Sequence, residues 1–159
     1  MSEQQKKMLL TISFLLLCPY SMLGATVVKL ERTRCMGDCP SYHLTVYGEG
    51  TVIYEGYGSV EVTGLQITRI PRNKVNELIS EINKADFFAL DAEYRSAVTD
   101  LSTITVSLRL GLWAKTVVRY GNAPYALICL ERKIDEVANS EQWVGRYSSV
   151  HEKRPRCNS

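Results

Sequence analysis

Apolar and polar residues alternate with a period of two through residues 42–47, 51–57 and 103–110, and recur at helical spacing through 75–82 and 127–137. The clearest element is a hairpin. Residues 42–47 and 51–57 flank Gly48-Glu49-Gly50, a three-residue loop with glycine where a left-handed backbone is needed. Pairing Tyr47 with Thr51 sets Val46 opposite Val52 and Leu44 opposite Tyr54 on a predicted core face. The other face then carries His43 against Glu55 and Thr45 against Ile53. Before the hairpin, residues 27–34 are rich in β-branched side chains and read as a first strand running into Cys35. After it, 60–63 and 66–70 look extended around Gly64, as one bent strand or two short ones.

Pro71 is a first-turn helix signal, and Val75, Leu78, Ile79 and Ile82 form one apolar stripe on a helix expected to last to about Phe87. A loop through Asp91, Glu93 and Tyr94 leads to a second hairpin, 103–110 and 113–120, turning near Gly111-Leu112. The faces of its return strand are ambiguous, because Trp113 and Val117 share one side while Ala114, Thr116 and Val118 share the other. Gly121-Asn122-Ala123-Pro124 then stops the strand and starts a helix with Leu127, Leu130, Ile134 and Val137 in its stripe, ending near Ala138-Asn139. The predicted fold is α+β: an antiparallel sheet of about five to six strands with two helices packed on one face, in the order ββ(β)α-ββα. Each helix has one stripe to bury, so one sheet face is left uncovered.

Residues 1–25 read as an export signal, with Lys6 and Lys7 before an apolar run, 8–18, and the small residues Gly24 and Ala25 after it. The run is shorter than the roughly 18 residues of a membrane span, so no stable span is expected once the leader is removed. Cys18 follows Leu17 where a lipoprotein signal wants a small residue, which argues against lipid anchoring through Cys18. Residues 26–145 are expected to form one domain, and 146–159 a basic, partly disordered tail holding Arg146, Lys153, Arg154 and Arg156. Without Glu3, Lys6 and Lys7, the 19 basic and 17 acidic side chains become 17 and 16, a net charge of +1. So balanced a chain gives no reason to expect a nucleic-acid partner.

Loss of the leader also turns five cysteines into four: Cys35, Cys39, Cys129 and Cys157. An even number suits an exported, disulfide-bearing domain, and four allow three connectivities. Cys35 and Cys39, with Gly37 between them, lie within disulfide reach and are expected to staple the corner between the first strand and the hairpin. The alternative is a thiol redox or copper site on Cys35 and Cys39 with His43 or His151 as a third ligand, but Cys39-Pro40 opens a strand and not a helix whose N-terminus would lower a thiol pKa. Cys129 falls on the polar side of the second helix, beside Lys133 and Glu136, and Cys157 is the partner left for it. Catalytic motifs are missing: there is no nucleophile elbow, metalloprotease helix or phosphate-binding loop, and Asp86, Asp91, Glu93 and Asp100 read as a solvated connecting loop. No cofactor is expected. Tyr47, Thr45 and Ile53 on the uncovered face form a candidate interaction surface.

Several stretches together carry a family likeness: Leu30-Glu31-Arg32-Thr33, Cys35-x-Gly37-x-Cys39-Pro40-x-Tyr42, Leu44-Thr45-Val46-Tyr47-Gly48-x-Gly50-Thr51-Val52-x-Tyr54-Glu55-Gly56, Lys84-Ala85-Asp86-Phe87-Phe88 with Thr99-Asp100-Leu101, and Trp143-Val144-Gly145. In these the chain resembles a bacterial family catalogued as domain of unknown function 6438. It departs at the second hairpin, where Gly111-Leu112 stands in place of an Asn-Gly turn. The resemblance implies an exported or lipid-anchored α+β domain without an assigned activity. The expected function is that of an exported, non-catalytic binding or interaction module of the bacterial cell envelope, periplasmic or secreted, with an envelope protein or ligand as partner.

Overall fold

The computed structural model describes residues 26–145 and Cys157; the leader with Cys18, and the tail residues Arg146, His151, Lys153, Arg154 and Arg156, lie outside them. The described elements are β1 (Val27–Arg32), β2 (Ser41–Tyr47), β3 (Thr51–Gly58), β4 (Gly64–Arg69), α1 (Arg72–Lys84), a 3-10 turn (Phe87–Ala89), β5 (Glu93–Arg95), β6 (Thr103–Leu110), β7 (Trp113–Tyr120), α2 (Tyr125–Ala138) and α3 (Glu141–Val144). The strands form one sheet in the order β4-β3-β2-β1-β6-β7-β5. The first strand is thus central, with one hairpin on each side. The first hairpin has the register read from its loop: His43 opposes Glu55, Leu44 Tyr54, Thr45 Ile53 and Val46 Val52.

Strand parity divides the sheet into two unlike faces. Val28, Leu30, Tyr42, Leu44, Val46, Val52, Tyr54, Ile104, Val106, Leu108 and Val117 point to one side and are buried with Leu78 and Ile82 of α1 and Leu127, Leu130, Ile134 and Val137 of α2. At about 25 cal/mol per Å² of apolar surface, each such aliphatic side chain contributes roughly 1.5–3 kcal/mol on burial. Pro71 and Pro124 sit immediately before α1 and α2, where a missing N–H breaks no helical hydrogen bond. The register of the second hairpin resolves the ambiguity of β7: Lys115, Val117 and Arg119 oppose Leu108, Val106 and Ile104, so theirs is the covered side. Its two-residue turn has a positive φ of 61° at Gly111 and not at Leu112, the pattern of a II′ turn that needs glycine only in first position.

Three expectations are corrected. The sheet has seven strands among the described residues and is not wholly antiparallel, because β5 pairs parallel with β7 in the segment read as a loop. Backbone bonds from Val118 to Ala92 and from Ser96 to Tyr120 hold it there, and Tyr94 packs against the core. Residues 60–63 are not a strand: the chain bends at Ser59, and the Val62 N–H donates to the Trp143 carbonyl of α3, a short third helix. Cys129 is buried and not exposed: it stands outside the apolar stripe of α2 and outside the core cluster, where it is bonded to Cys157, while Glu131 is buried on the sheet side beside the stripe.

Candidate functional site

The uncovered face is built by the residues that alternate with the core positions. Thr45 and Ile53 are cross-strand neighbours, Ile53 in turn opposes Ile67 of β4, and Tyr47 stands one pleat along from Thr45 opposite Val27. Tyr47, Thr45 and Ile53 are half-buried, whereas Ile67 is 64% and Leu65 is 59% exposed. The aliphatic stripe therefore opens toward β4, beyond the three residues singled out in the sequence.

Beside it runs a polar row drawn from three strands. Glu31, His43 and Glu55 are directly in register on β1, β2 and β3. Glu31 Oε1 lies 3.3 Å from His43 Nε2, His43 Nδ1 lies 3.0 Å from the Tyr57 hydroxyl, and that hydroxyl donates to Glu55 Oε2 at 2.7 Å. The bond to Glu55 raises the Tyr57 pKa above the ordinary phenol value, with small further contributions from burial and the two glutamates. His43 meets Glu55 across the strands as expected, but Glu31 was missed, since its place in the row depends on which strand β1 pairs with. The row offers hydrogen-bonding groups beside an aliphatic stripe, a composition suited to recognition.

The cysteines are placed elsewhere. Cys35 and Cys39 are bonded to each other across a turn, with Cα atoms 5.6 Å apart, and a methyl added at Gly37 would meet the Cys35 sulfur at 3.8 Å. Cys129 and Cys157 are likewise bonded, with Cα atoms 5.6 Å apart, and Arg132 donates to the Cys157 sulfur at 3.2 Å. His43 is engaged by Glu31 and Tyr57, and among the described residues no group of three or more His, Cys, Asp and Glu side chains could hold a metal ion. The carboxylates of the connecting segment are not gathered into a site either: Asp86 precedes the 3-10 turn, and Glu93 pairs with Arg95 of its own strand. A shallow depression of ≈ 460 Å³ lined by Glu61, Asn139, Glu141, Gln142 and Gly145 lies where α3 meets the segment before β4.

The covered side holds two ionic groups that local sequence patterns do not reveal. Arg119 Nε and Nη2 donate to the two oxygens of Glu131 at 2.8 and 2.7 Å, both side chains being almost fully buried. One turn further along α2, Asp135 accepts from Arg32 at 2.9 Å, Tyr42 at 2.6 Å and Ser140 at 2.7 Å, while Arg32 also donates to the Tyr42 oxygen at 2.9 Å. Burial works against the charge on Arg32, but Tyr42, Asp135 and Glu131 outweigh it and its pKa rises. Burial chiefly, and Asp135 after it, also raises the Tyr42 pKa against the opposing pull of Arg32, so the hydroxyl remains a donor. Among the described residues no buried side-chain nitrogen or oxygen lacks a hydrogen-bond partner, the mark of a structural joint.

Among the described residues no helix is long and apolar enough to cross a membrane. No curated protein matches the chain. A family model does, over residues 26–138, which takes in all seven strands, α1 and α2, both faces of the sheet and the Cys35–Cys39 corner: the chain belongs to the family described as domain of unknown function (DUF6438).

Proposed function

We propose that the protein is an exported, non-catalytic interaction module of the bacterial cell envelope that engages its partner through the uncovered face of the sheet. The observation that carries this reading is the asymmetry of the sheet: one face is sealed by helices and closed ionic groups, and the other presents Tyr47, Thr45, Ile53 and Ile67 beside the Glu31–His43–Tyr57–Glu55 row. Two disulfides and a leader-like N-terminus support an oxidising compartment. The Cys35–Cys39 pair is read as a staple of the β1–β2 corner. The alternative, thiol redox or copper handling at this pair, has less support, because Cys39 leads into strand β2 and no helix N-terminus is there to activate a thiol.

The test uses the exported protein as bait in an envelope extract, beside Ile53→Glu and Thr45→Lys variants whose circular dichroism matches wild type. Retention of a partner by wild type and its loss from both variants is the expected result. Equal retention by all three, or none by wild type, overturns the reading. Titration of free thiols on the native protein addresses the alternative, for which a readily reduced Cys35–Cys39 pair is required.

A further inference from the structure

The two edges of the sheet are unlike. Strand β5 is three residues long and carries an internal ion pair between Glu93 and Arg95, devices that discourage further pairing. Strand β4 has six residues, contains no proline and pairs with β3 without a register shift. Its hydrogen-bonding phase follows from one contact. The Ile70 N–H donates to the Gly50 carbonyl at 2.8 Å, and residues 50 and 70 continue the register in which Thr51 opposes Arg69. By alternation Thr68, Gln66 and Gly64 turn their backbone groups toward β3, and Leu65, Ile67 and Arg69 turn theirs away from the sheet. No hydrogen bond reaches those outward groups among the described residues.

We propose that β4 pairs antiparallel with β4 of a second copy of the chain, joining the two sheets about a two-fold axis through Gln66. In this register the outward N–H and C=O of Leu65 bond those of Ile67 in the other copy, and symmetry repeats the exchange, making four hydrogen bonds. The same register sets the exposed Leu65 of each copy across from the exposed Ile67 of the other, so apolar side chains cover one another. An axis through Ile67 would instead set Leu65 against Arg69. Charge favours the antiparallel sense as well: the segment has Glu61 on its N-terminal side and Arg69 and Arg72 at its C-terminal end, all exposed, so the copies bring opposite charges together at both ends of the ribbon. A ribbon this short buries less than the roughly 1,200 Å² of a standard interface, so the dimer is a reversible one. The pairing uses the backbone edge and stands whether or not the uncovered face has a partner.

Sedimentation velocity of the exported protein from about 5 to about 500 μM tests it by mass action. The weight-average mass of wild type is expected to rise from one chain toward two. The double variant Leu65→Lys with Ile67→Lys, which places like charges across the axis at exposed positions, is expected to stay monomeric. Ile67→Pro, which deletes an outward donor that β3 does not use, is expected to do the same, and the Leu65 and Ile67 amides of wild type should exchange more slowly as concentration rises. A wild type that stays monomeric throughout overturns the proposal, and so does a dimer that persists in the lysine variant. A monomeric wild type that captures an added extended peptide at this edge also overturns it, assigning the edge to a different chain.

Discussion

Breaking the Arg119–Glu131 pair should be among the most damaging single changes available outside the apolar core. The pair is bidentate, with side chains 9% and 2% exposed, so replacing Glu131 with Leu strips a buried guanidinium of two charge-assisted hydrogen bonds. Removing one member of such a pair costs about 3–5 kcal/mol, because the surviving charge must stay desolvated or force the site open. In a domain of this size that corresponds to a fall in Tm of roughly 10–20 °C. Arg119→Met should cost a similar amount, since it strands the Glu131 carboxylate. The double variant Arg119→Met with Glu131→Leu should recover much of the loss, because neither charge is then buried and both replacements are apolar. Urea melts of the four proteins complete a double-mutant cycle with an expected coupling above about 2 kcal/mol. Singles that each cost under about 1 kcal/mol, or costs that simply add in the double, would show that water reaches the pair and that the burial argument fails.

Loop length predicts that the two disulfides differ: the Cys129–Cys157 bond spans 28 residues and should contribute about 3.5 kcal/mol, against about 2 kcal/mol for Cys35–Cys39, which spans 4. Urea melts of the Cys129→Ala, Cys157→Ala and Cys35→Ala, Cys39→Ala double variants check the order. Hydrogen bonds from Lys133, and then from Lys74, hold the Glu77 carboxyl down at about 2. A depressed folded-state value stabilises the fold above the ordinary carboxyl value of 4.5, and the contribution is lost as pH falls from there toward about 2, so Glu77→Gln should flatten the stability profile in that window. Gly50→Ala should cost upward of about 2 kcal/mol, since φ is 96° and the added methyl meets the Ile70 carbonyl oxygen, whereas Gly111→Ala, at φ 61° with open space around it, should cost only about 1 kcal/mol. Thermal melts of the two variants compare them directly.

What could be read in advance was what short stretches determine. The Gly48-Glu49-Gly50 loop and the parity of residues 42–57 were enough to place Leu44 opposite Tyr54, because register in a hairpin is set by its turn and by which face is buried. Both helix stripes were legible for the same reason. Strand β5 was not, since three residues with one core-facing side chain carry no period, and the element exists only because β7 leaves an edge free beside it. The helical wheel placed Cys129 off the apolar stripe but did not show its burial, because its partner Cys157 is 28 residues away in sequence and no local pattern brings it there. In the candidate site, Thr45, Ile53 and Tyr47 could be found from the hairpin alone. Ile67 and Glu31 needed the pairings of β4 and β1, which depend on the packing of the whole sheet.

The ionic joints explain why α2 lies where it does. Arg32 opposes Ile104 and Ile104 opposes Arg119, so the two arginines stand in one row with β6 between them, about 10 Å apart at the usual strand spacing. Their acceptors, Asp135 and Glu131, are four positions apart on one side of α2, a helical rise of about 6 Å. Arginines two strands apart can meet carboxylates one turn apart only if the helix crosses the strands and does not run along them. Sliding α2 by a turn would leave Leu127, Leu130 and Ile134 on apolar neighbours but would bury one carboxylate without its arginine. Apolar contact alone tolerates several placements of the helix, and the paired charges leave one. The polar residues of the covered face thus choose among packings that its apolar residues make stable.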